Sequence, residues 1–244
     1  MRIKTKSDVI VFAIVVTLGS LCASLLLTWA VSGNGLSPRG IIPATLVPSI
    51  VAPLASFWIA RMMVRIHELN QRLEFLLRHD QMTGLLTRAA FFQGIEQESG
   101  AKNGAVLMAD IDRFKSINDT FGHHAGDCVI REVSNILRQG AEPDGLAARF
   151  GGEEFVAFLP DADLRHAELR AEAIRAAVEN QSISVEGSDL SCTLSIGVEV
   201  FDGSQPLDDV LRAADQALYV AKSNGRNRVV RQCARRPTLS GTDG

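Results

Sequence analysis

The sequence predicts an α/β protein of the α+β kind: a pair of apolar helices followed by a domain with a mixed sheet flanked by helices. Three observations carry this. The apolar residues crowd into the first 60 positions, where 9–31 and 41–60 contain no charged residue. Beyond residue 80, short apolar runs alternate with helical periodicity, as in sheets covered by helices. One pair of runs, LAARF (146–150) and EFVAFLP (154–160), flanks Gly151-Gly152 and reads as a hairpin.

The composition narrows the classes. The chain has 244 residues, 46% hydrophobic and 22% charged, with a net charge of −3 and a mean hydropathy of +0.11. Near-neutral charge gives no electrostatic footprint for nucleic acid, so none is expected as a partner. Four cysteines (Cys22, Cys128, Cys192, Cys233) lie far apart without a CxxC spacing, which excludes a disulfide scaffold and a sequence-readable zinc site.

Taken in order, 9–31 and 41–60 are each long enough to cross a hydrocarbon core of about 30 Å as helices. Trp29 and Trp58 lie near their segment ends, where indoles suit an interface. Pro43, Pro48 and Pro53 in the second segment imply kinks, which a bilayer helix tolerates. Arg2, Lys4 and Lys6 precede the first segment and Arg61, Arg65 and Arg72 follow the second, while the loop between holds only Arg39. The positive-inside rule therefore puts both ends in the cytoplasm, with the chain multi-pass in the inner membrane. A cleaved signal peptide is the alternative for 9–31, and it leaves the C-terminal part cytoplasmic as well. The loop is too short to form a sensor domain.

Residues 61–79 form an amphipathic helical linker. Met62, Ile66, Leu69, Leu73 and Leu76 recur at spacings of 4, 3, 4 and 3, the a/d seam of about two heptads. This is either a helix packing on its own domain or a parallel dimer stalk.

The domain occupies 80–232. GAVLMAD (104–110) is a buried strand ending in an acid; 127–138 is helical; 164–178 is an alanine-rich helix; SCTLSIGVEV (191–200) is a strand; 207–221 is a helix stopped by Ser-Asn-Gly. The tail 233–244 is expected to be disordered. His123–His124, beside Gly122, are expected in a loop.

Three clusters carry chemistry. Asp110 and Asp112 end the first buried strand. Gly151-Gly152-Glu153-Glu154 places two carboxylates on a tight turn. Lys222 and Arg226 bracket a C-terminal loop. Carboxylates from two strand ends can gather a hard cation that keeps positions for phosphates. Glycines admit a ligand close to the backbone, and the basic pair can hold phosphate tails. Each cluster also has a plainer reading. Asp112 can N-cap a helix beginning at Arg113, Gly-Gly can be only a turn, and the basic pair can answer a helix dipole.

At these residues the sequence resembles the GGDEF-domain diguanylate cyclases, in the GGEEF form. RFGGEEF (149–155) resembles their signature, and DQMTGLLTRAAF (80–91) is similar to their opening motif, with Met82 and Thr87 as departures. DIDRFKSINDTFGHHAGD (110–127), LSIGV (194–198) and the closing run at 217–227 also fit, so five motifs cover roughly 80–230 in order.

The resemblance implies a palm-like, antiparallel-rich fold and synthesis of cyclic di-GMP from two GTP, with a homodimer supplying two half-sites. It implies two Mg²⁺ per site, with Mn²⁺ as an alternative, held by Asp110, Glu153 and the Ile111 carbonyl with Glu154 in support. Glu153 also becomes the candidate proton acceptor. Asn118 and Asp127 would read guanine, Lys115, Lys222 and Arg226 would neutralise the triphosphate, and Gly151 and Gly152 would border it. Phe114 would wall the pocket or pack in the core. A catalytically silent GTP- or cyclic-di-GMP-binding regulator is the alternative. Many members carry Arg-x-x-Asp ending five residues before the glycine pair, where product binds and inhibits. Here those positions read Glu142-Pro143-Asp144-Gly145, so no such inhibition is expected.

Overall fold

The computed structural model describes residues 6–31, 38–97, 103–185 and 188–231. The connecting loop at 32–37 and the tail from 232 lie outside the described residues. The chain divides into two compact units, Met1–Phe75 and Leu76–Gly244.

The first unit holds helix α1 (Lys6–Val31) and most of helix α2 (Pro38–Arg78). Both are long and apolar enough to cross a membrane, by length and composition. They leave large apolar side chains outward: Leu26 and Leu27 are each 66% exposed and Trp58 71%. Hydroxyls fold back on their own helix, as Thr17 donates to the Ala13 carbonyl (2.7 Å) and Ser49 to that of Thr45 (2.5 Å). Helix α2 runs through Pro43, Pro48 and Pro53 and includes the whole a/d seam.

The second unit is a six-stranded sheet with helices on both faces. Its elements are β1 (Leu86–Thr87), α3 (Arg88–Gln97), β2 (Gly104–Ile111), α4 (Phe114–Ala141), β3 (Leu146–Arg149) and β4 (Glu154–Pro160). They continue with α5 (Leu164–Asn180), β5 (Ile183–Val185), β6 (Ser188–Leu190), β7 (Leu194–Phe201), α6 (Leu207–Ser223) and β8 (Val229–Arg231). The sheet order is β1-β3-β4-β2-β7-β8. The four inner strands are antiparallel, and the edge strands β1 and β8 pair parallel with their neighbours. The mixed, antiparallel-rich sheet matches the expectation.

All eight residues of β2 are buried, which explains why GAVLMADI reads as a continuous run. Successive side chains of a strand point to opposite faces. Ala105, Leu107, Ala109 and Ile111 enter the core with α4 and α5, whereas Val106 and Met108 enter the core with α3 and α6. By the same alternation Asp110 is the next position on the α6 face. Gly197 on β7 lets α6 lie directly on the sheet, because an added Cβ would come within 2.0 Å of the Ala214 carbonyl oxygen and 2.4 Å of the Leu218 nitrogen.

Several boundaries differ from those read in the sequence. Helix α4 begins at Phe114 rather than near 127, with Gly122 (φ 83°, ψ 163°) as a non-helical break inside it. Polar residues before that glycine hide the helical periodicity, and His123 and His124 are helical rather than in a loop. Strand β7 starts at Leu194 because Thr193 is engaged elsewhere: its hydroxyl donates to Asp112 and its carbonyl accepts the Asp112 amide. Strands β1, β5, β6 and β8 have two or three residues each, too short to leave a periodic signal.

Gly197→Ala is expected to destabilise the second unit by about 1–3 kcal/mol, since backbone atoms of α6 must move to admit the methyl. A lowered midpoint in denaturant unfolding of the detergent-solubilised chain checks this; an unchanged midpoint shows that α6 does not press on β7 as described.

Candidate active site

The site begins at the C-terminal end of β2. Asp110 lies directly opposite Glu154 across the β2–β4 ladder, and the Ile111 amide donates to the Glu153 carbonyl at 3.3 Å. Carboxylates from residues more than 40 apart in sequence thereby meet at one corner of the sheet. Asp110 is buried at 4% exposure, Glu153 is half-buried and Glu154 exposed. Burial is the main force pushing the Asp110 carboxyl up to about 6; Glu153 and Glu154 push the same way, while Lys222 opposes. The Lys222 ammonium sits 2.8 Å from Asp110 Oδ2, so the buried acid of this corner already has a cationic partner. The donors are all hard oxygens, the kind that divalent Mg²⁺ or Mn²⁺ takes. Among the described residues no three His, Cys, Asp or Glu side chains form a ready-made metal cluster. An ion here would complete its shell with the Ile111 carbonyl and ligand oxygens.

The glycine turn is held from below. Arg149 Nε donates to the Gly151 carbonyl (3.0 Å) and Nη2 to that of Gly152 (2.7 Å). Its Nη1 reaches Asp80 at 3.2 Å. Burial alone would raise the Asp80 carboxyl, but Thr83 and Arg149 outweigh it and hold the carboxyl below its ordinary range. Arg149 and Asp80 both lie in the motifs quoted above, but neither motif signals this bracing role. At Gly151 a Cβ would come within 2.7 Å of Glu154 Oε2, so the turn and the acid share one space; at Gly152 the space is open.

Helix α4 supplies a second group. In an unbroken helix Asn118 and Asp127 would lie about 13 Å apart along the axis. The break at Gly122 folds the helix so that Asn118 Oδ1 lies only 2.0 Å from where a Gly126 side chain would begin. The half-buried Asn118 thus lies against the residue preceding Asp127. Phe114 is core rather than wall: it is 7% exposed and belongs to the cluster under α4. Its ring lies beneath Gly126, supporting the group from inside. Lys115 is exposed on the first turn of α4, and Arg226 is exposed on the loop after α6.

Asp112 is not the N-cap. The cap residue of α4 is Arg113, in left-handed conformation and without a side-chain capping bond. The Asp112 carboxylate, 6% exposed, instead accepts from Ser195 Oγ (2.6 Å), Thr193 Oγ1 (2.7 Å) and the Asn227 amide (2.9 Å). A cavity of about 480 Å³ beside it is lined by Arg113, Ser116, Cys192, Arg226 and Asn227. A second, of about 340 Å³, lies past Glu154 and is lined by Arg88, Phe150, Asp208, Arg212 and Asp215. Sequence spacing alone carries no signal for the Asp112 clip, because its partners lie more than 80 residues away.

A sheet whose central strand ends in a buried aspartate, next to a glycine turn bearing two glutamates, defines a class. Residues 77–228 match the family described as "Diguanylate cyclase, GGDEF domain", and the chain belongs to that family. It is 43% identical over 155 residues to Diguanylate cyclase DgcP of Pseudomonas aeruginosa, covering 62% of this chain and 23% of that one. It is 40% identical over 169 residues to Diguanylate cyclase A of Treponema denticola, covering 66% of this chain and 46% of the relative. The chain thus spans less than half the length of these curated relatives. Among solved structures it is similar to the coiled coil and GGDEF domain of DgcB from Caulobacter crescentus in complex with c-di-GMP. There the TM-score is 0.67 at 30% identity, over 75% of this chain and 99% of that one. It is also similar to the active GGEEF domain of a diguanylate cyclase from Vibrio cholerae, with TM-score 0.51 at 32% identity, over 61% of this chain and 92% of that one.

Cys192, in the wall of the larger cavity, gives a chemical check. Burial, with the Asp112 charge behind it, pushes its thiol up to about 11, so thiolate is scarce at neutral pH. At pH 8 the native protein is expected to leave Cys192 unmodified by iodoacetamide, and denaturant to expose it; rapid native labelling, read by peptide mass, contradicts the burial.

Proposed function

We propose that this chain is a membrane-anchored diguanylate cyclase that condenses two GTP into cyclic di-GMP and two pyrophosphates. The observation that carries the reading is the acid corner: Asp110, Glu153 and Glu154 gathered at one strand end, with Lys222 on the buried carboxylate. Asp110, Glu153 and the Ile111 carbonyl would hold two Mg²⁺, or Mn²⁺, with Glu154 in support. Bound there, the ions supply Lewis acidity at the α-phosphoryl and lower the pKa of the attacking alcohol.

The chain's own groups do the rest. Asp127 accepts from guanine N1–H and the 2-amino group, which adenine cannot offer, and Asn118 adds a second polar contact. Lys115, Lys222 and Arg226 neutralise the triphosphate. Glu153 takes the proton of the 3′-OH as that oxygen attacks the α-phosphorus, and the bond from the α-phosphorus to its bridging oxygen breaks to release pyrophosphate. Two such bonds close the ring, so two half-sites must face each other.

Helix α2 favours that pairing. Met62, Ile66, Leu69, Leu73 and Leu76 are 47–65% exposed and form one apolar seam. With Ile66 and Leu73 at a positions, Arg65 and Arg72 fall at g. An antiparallel pair would set arginine against arginine, whereas a parallel pair sets them beside Asn70 and Leu77. In this reading the seam lies just inside the cytoplasmic membrane, which two apolar segments with basic flanks support, and tethering there raises the local concentration of the second half-site.

The full chain in nanodiscs, given GTP, ATP and Mg²⁺, is expected to yield cyclic di-GMP alone by mass spectrometry. Asp110→Ala or Glu153→Ala is expected to lower turnover at least about a hundredfold. GTP binding without turnover by the dimeric wild type would leave a silent regulator in its place.

The product should not inhibit. At Gly145, where many relatives carry aspartate, an added Cβ would lie 2.3 Å from the Ala141 carbonyl oxygen and 2.7 Å from that of Phe158. Glu142 brings negative charge where an arginine would bind phosphate, and its carbonyl already accepts from Arg170. Added cyclic di-GMP is expected to leave the initial rate unchanged; strong inhibition that Glu142→Ala relieves would refute this.

A further inference from the structure

We infer that Asn227 is a positioning residue that sets Arg226 for the nucleotide's phosphates, an assignment that rests on the cyclase reading above. Three consecutive residues after α6 have left-handed backbone: Gly225 (φ 112°), Arg226 (φ 66°) and Asn227 (φ 46°). Two of them are not glycine, and such conformations persist only where the surroundings over-determine them. Arg226 does not supply that restraint. Its amide caps α6 on the Ala221 carbonyl (3.0 Å), but its guanidinium, on the surface, makes no hydrogen bond or ion pair among the described residues.

Asn227 does supply it. Among non-glycine residues, asparagine is one of those that enter the left-handed region most readily. Its amide donates to Asp112 Oδ2 at 2.9 Å. Its side-chain oxygen accepts from Arg175 Nη1 at 2.6 Å, and its side-chain nitrogen donates to Glu179 Oε1 at 2.7 Å. Both ends of the carboxamide are therefore used by α5, and the backbone by Asp112. Arg175 is itself fixed by Glu172 (2.6 Å) and Glu179 (2.7 Å). Asp112 is anchored by Ser195, which is the ladder partner of Asp110. An unbroken set of contacts thus runs from α5 through Asn227 and Asp112 to the strand pair that carries the acid corner. The turn holding Arg226 is registered against Asp110 by this set, alongside its amide bond to α6 and the pairing of β8 with β7.

The carboxamide makes the idea testable by charge. Asn227→Asp keeps the left-handed preference and the Arg175 contact but turns an oxygen toward Glu179. Glu179→Gln then restores a donor facing it. A phosphate contact made equally in ground and transition states changes KM rather than kcat. In nanodiscs, the full-length Asn227→Asp chain is expected to show Kd for a fluorescent N-methylanthraniloyl GTP analogue and KM for GTP raised about tenfold, with kcat nearly unchanged. Its melting temperature should stay at the wild-type value, and adding Glu179→Gln should recover most of the affinity.

Unchanged Kd and KM in a folded Asn227→Asp chain would overturn the inference, and so would failure of the second substitution to rescue. Should Asn227→Asp melt early, Asn227→Gly, which keeps the backbone without the carboxamide, decides: wild-type Kd there refutes the role, a raised Kd supports it. Binding without synthesis by the wild type would overturn the cyclase reading alone and leave the Kd comparison standing. A wild type that binds no GTP overturns both.

Discussion

A carboxylate at the end of an otherwise apolar central strand is the constraint around which the domain is organised. Seven neighbours on β2 are buried and uncharged, so Asp110 enters low-dielectric surroundings that penalise its charge. The Lys222 ammonium answers that penalty from α6, and its reach depends on α6 lying flat against β7 at Gly197. The packing of a helix on a sheet and the electrostatics of an acid are thus one problem. A buried charge left half-compensated between two glutamates suits a ligand that brings its own cations and phosphates.

The supporting geometry is divided between the two faces of the sheet. The α6 face carries Asp110 and Lys222, with the glycine turn alongside, braced by Arg149 through two backbone carbonyls and by Asp80 behind it. On the other face α4 and α5 pack, and from them come Asn118 and Asp127 and the Arg175–Glu179 clamp. Asp112 lies between, a residue away from Ile111, and joins the two through Ser195, Thr193 and Asn227. One dipeptide step along the chain separates a carboxylate facing the acid corner from one that binds two hydroxyls and a backbone amide.

That step shows where local reasoning stops. Aspartate before a helix is a favoured N-cap, and α4 begins two residues after Asp112. The reading failed because Asp112 finds three donors more than 80 residues away, which together outbid a single amide of α4. Phe114 was open between pocket and core, and the apolar cluster beneath α4 took it. The start of α4 was hidden for another reason: Gly122 interrupts the periodicity, and that same interruption brings Asn118 toward Asp127.

What the sequence determined by itself was everything that depends on spacing along the chain. The apolar segments, the a/d seam, the buried strand ending in Asp110, the hairpin around Gly151-Gly152 and the order of five motifs are all local patterns of one or two periods. The acid corner was legible in the same way, because a strand end and a tight turn each announce themselves. Tertiary structure alone decided what Asp112, Arg149, Arg175 and Asn227 do. Their partners are chosen by how sheet and helices pack, and a hydrogen bond across such distances in sequence leaves no periodic trace in either of the segments it joins.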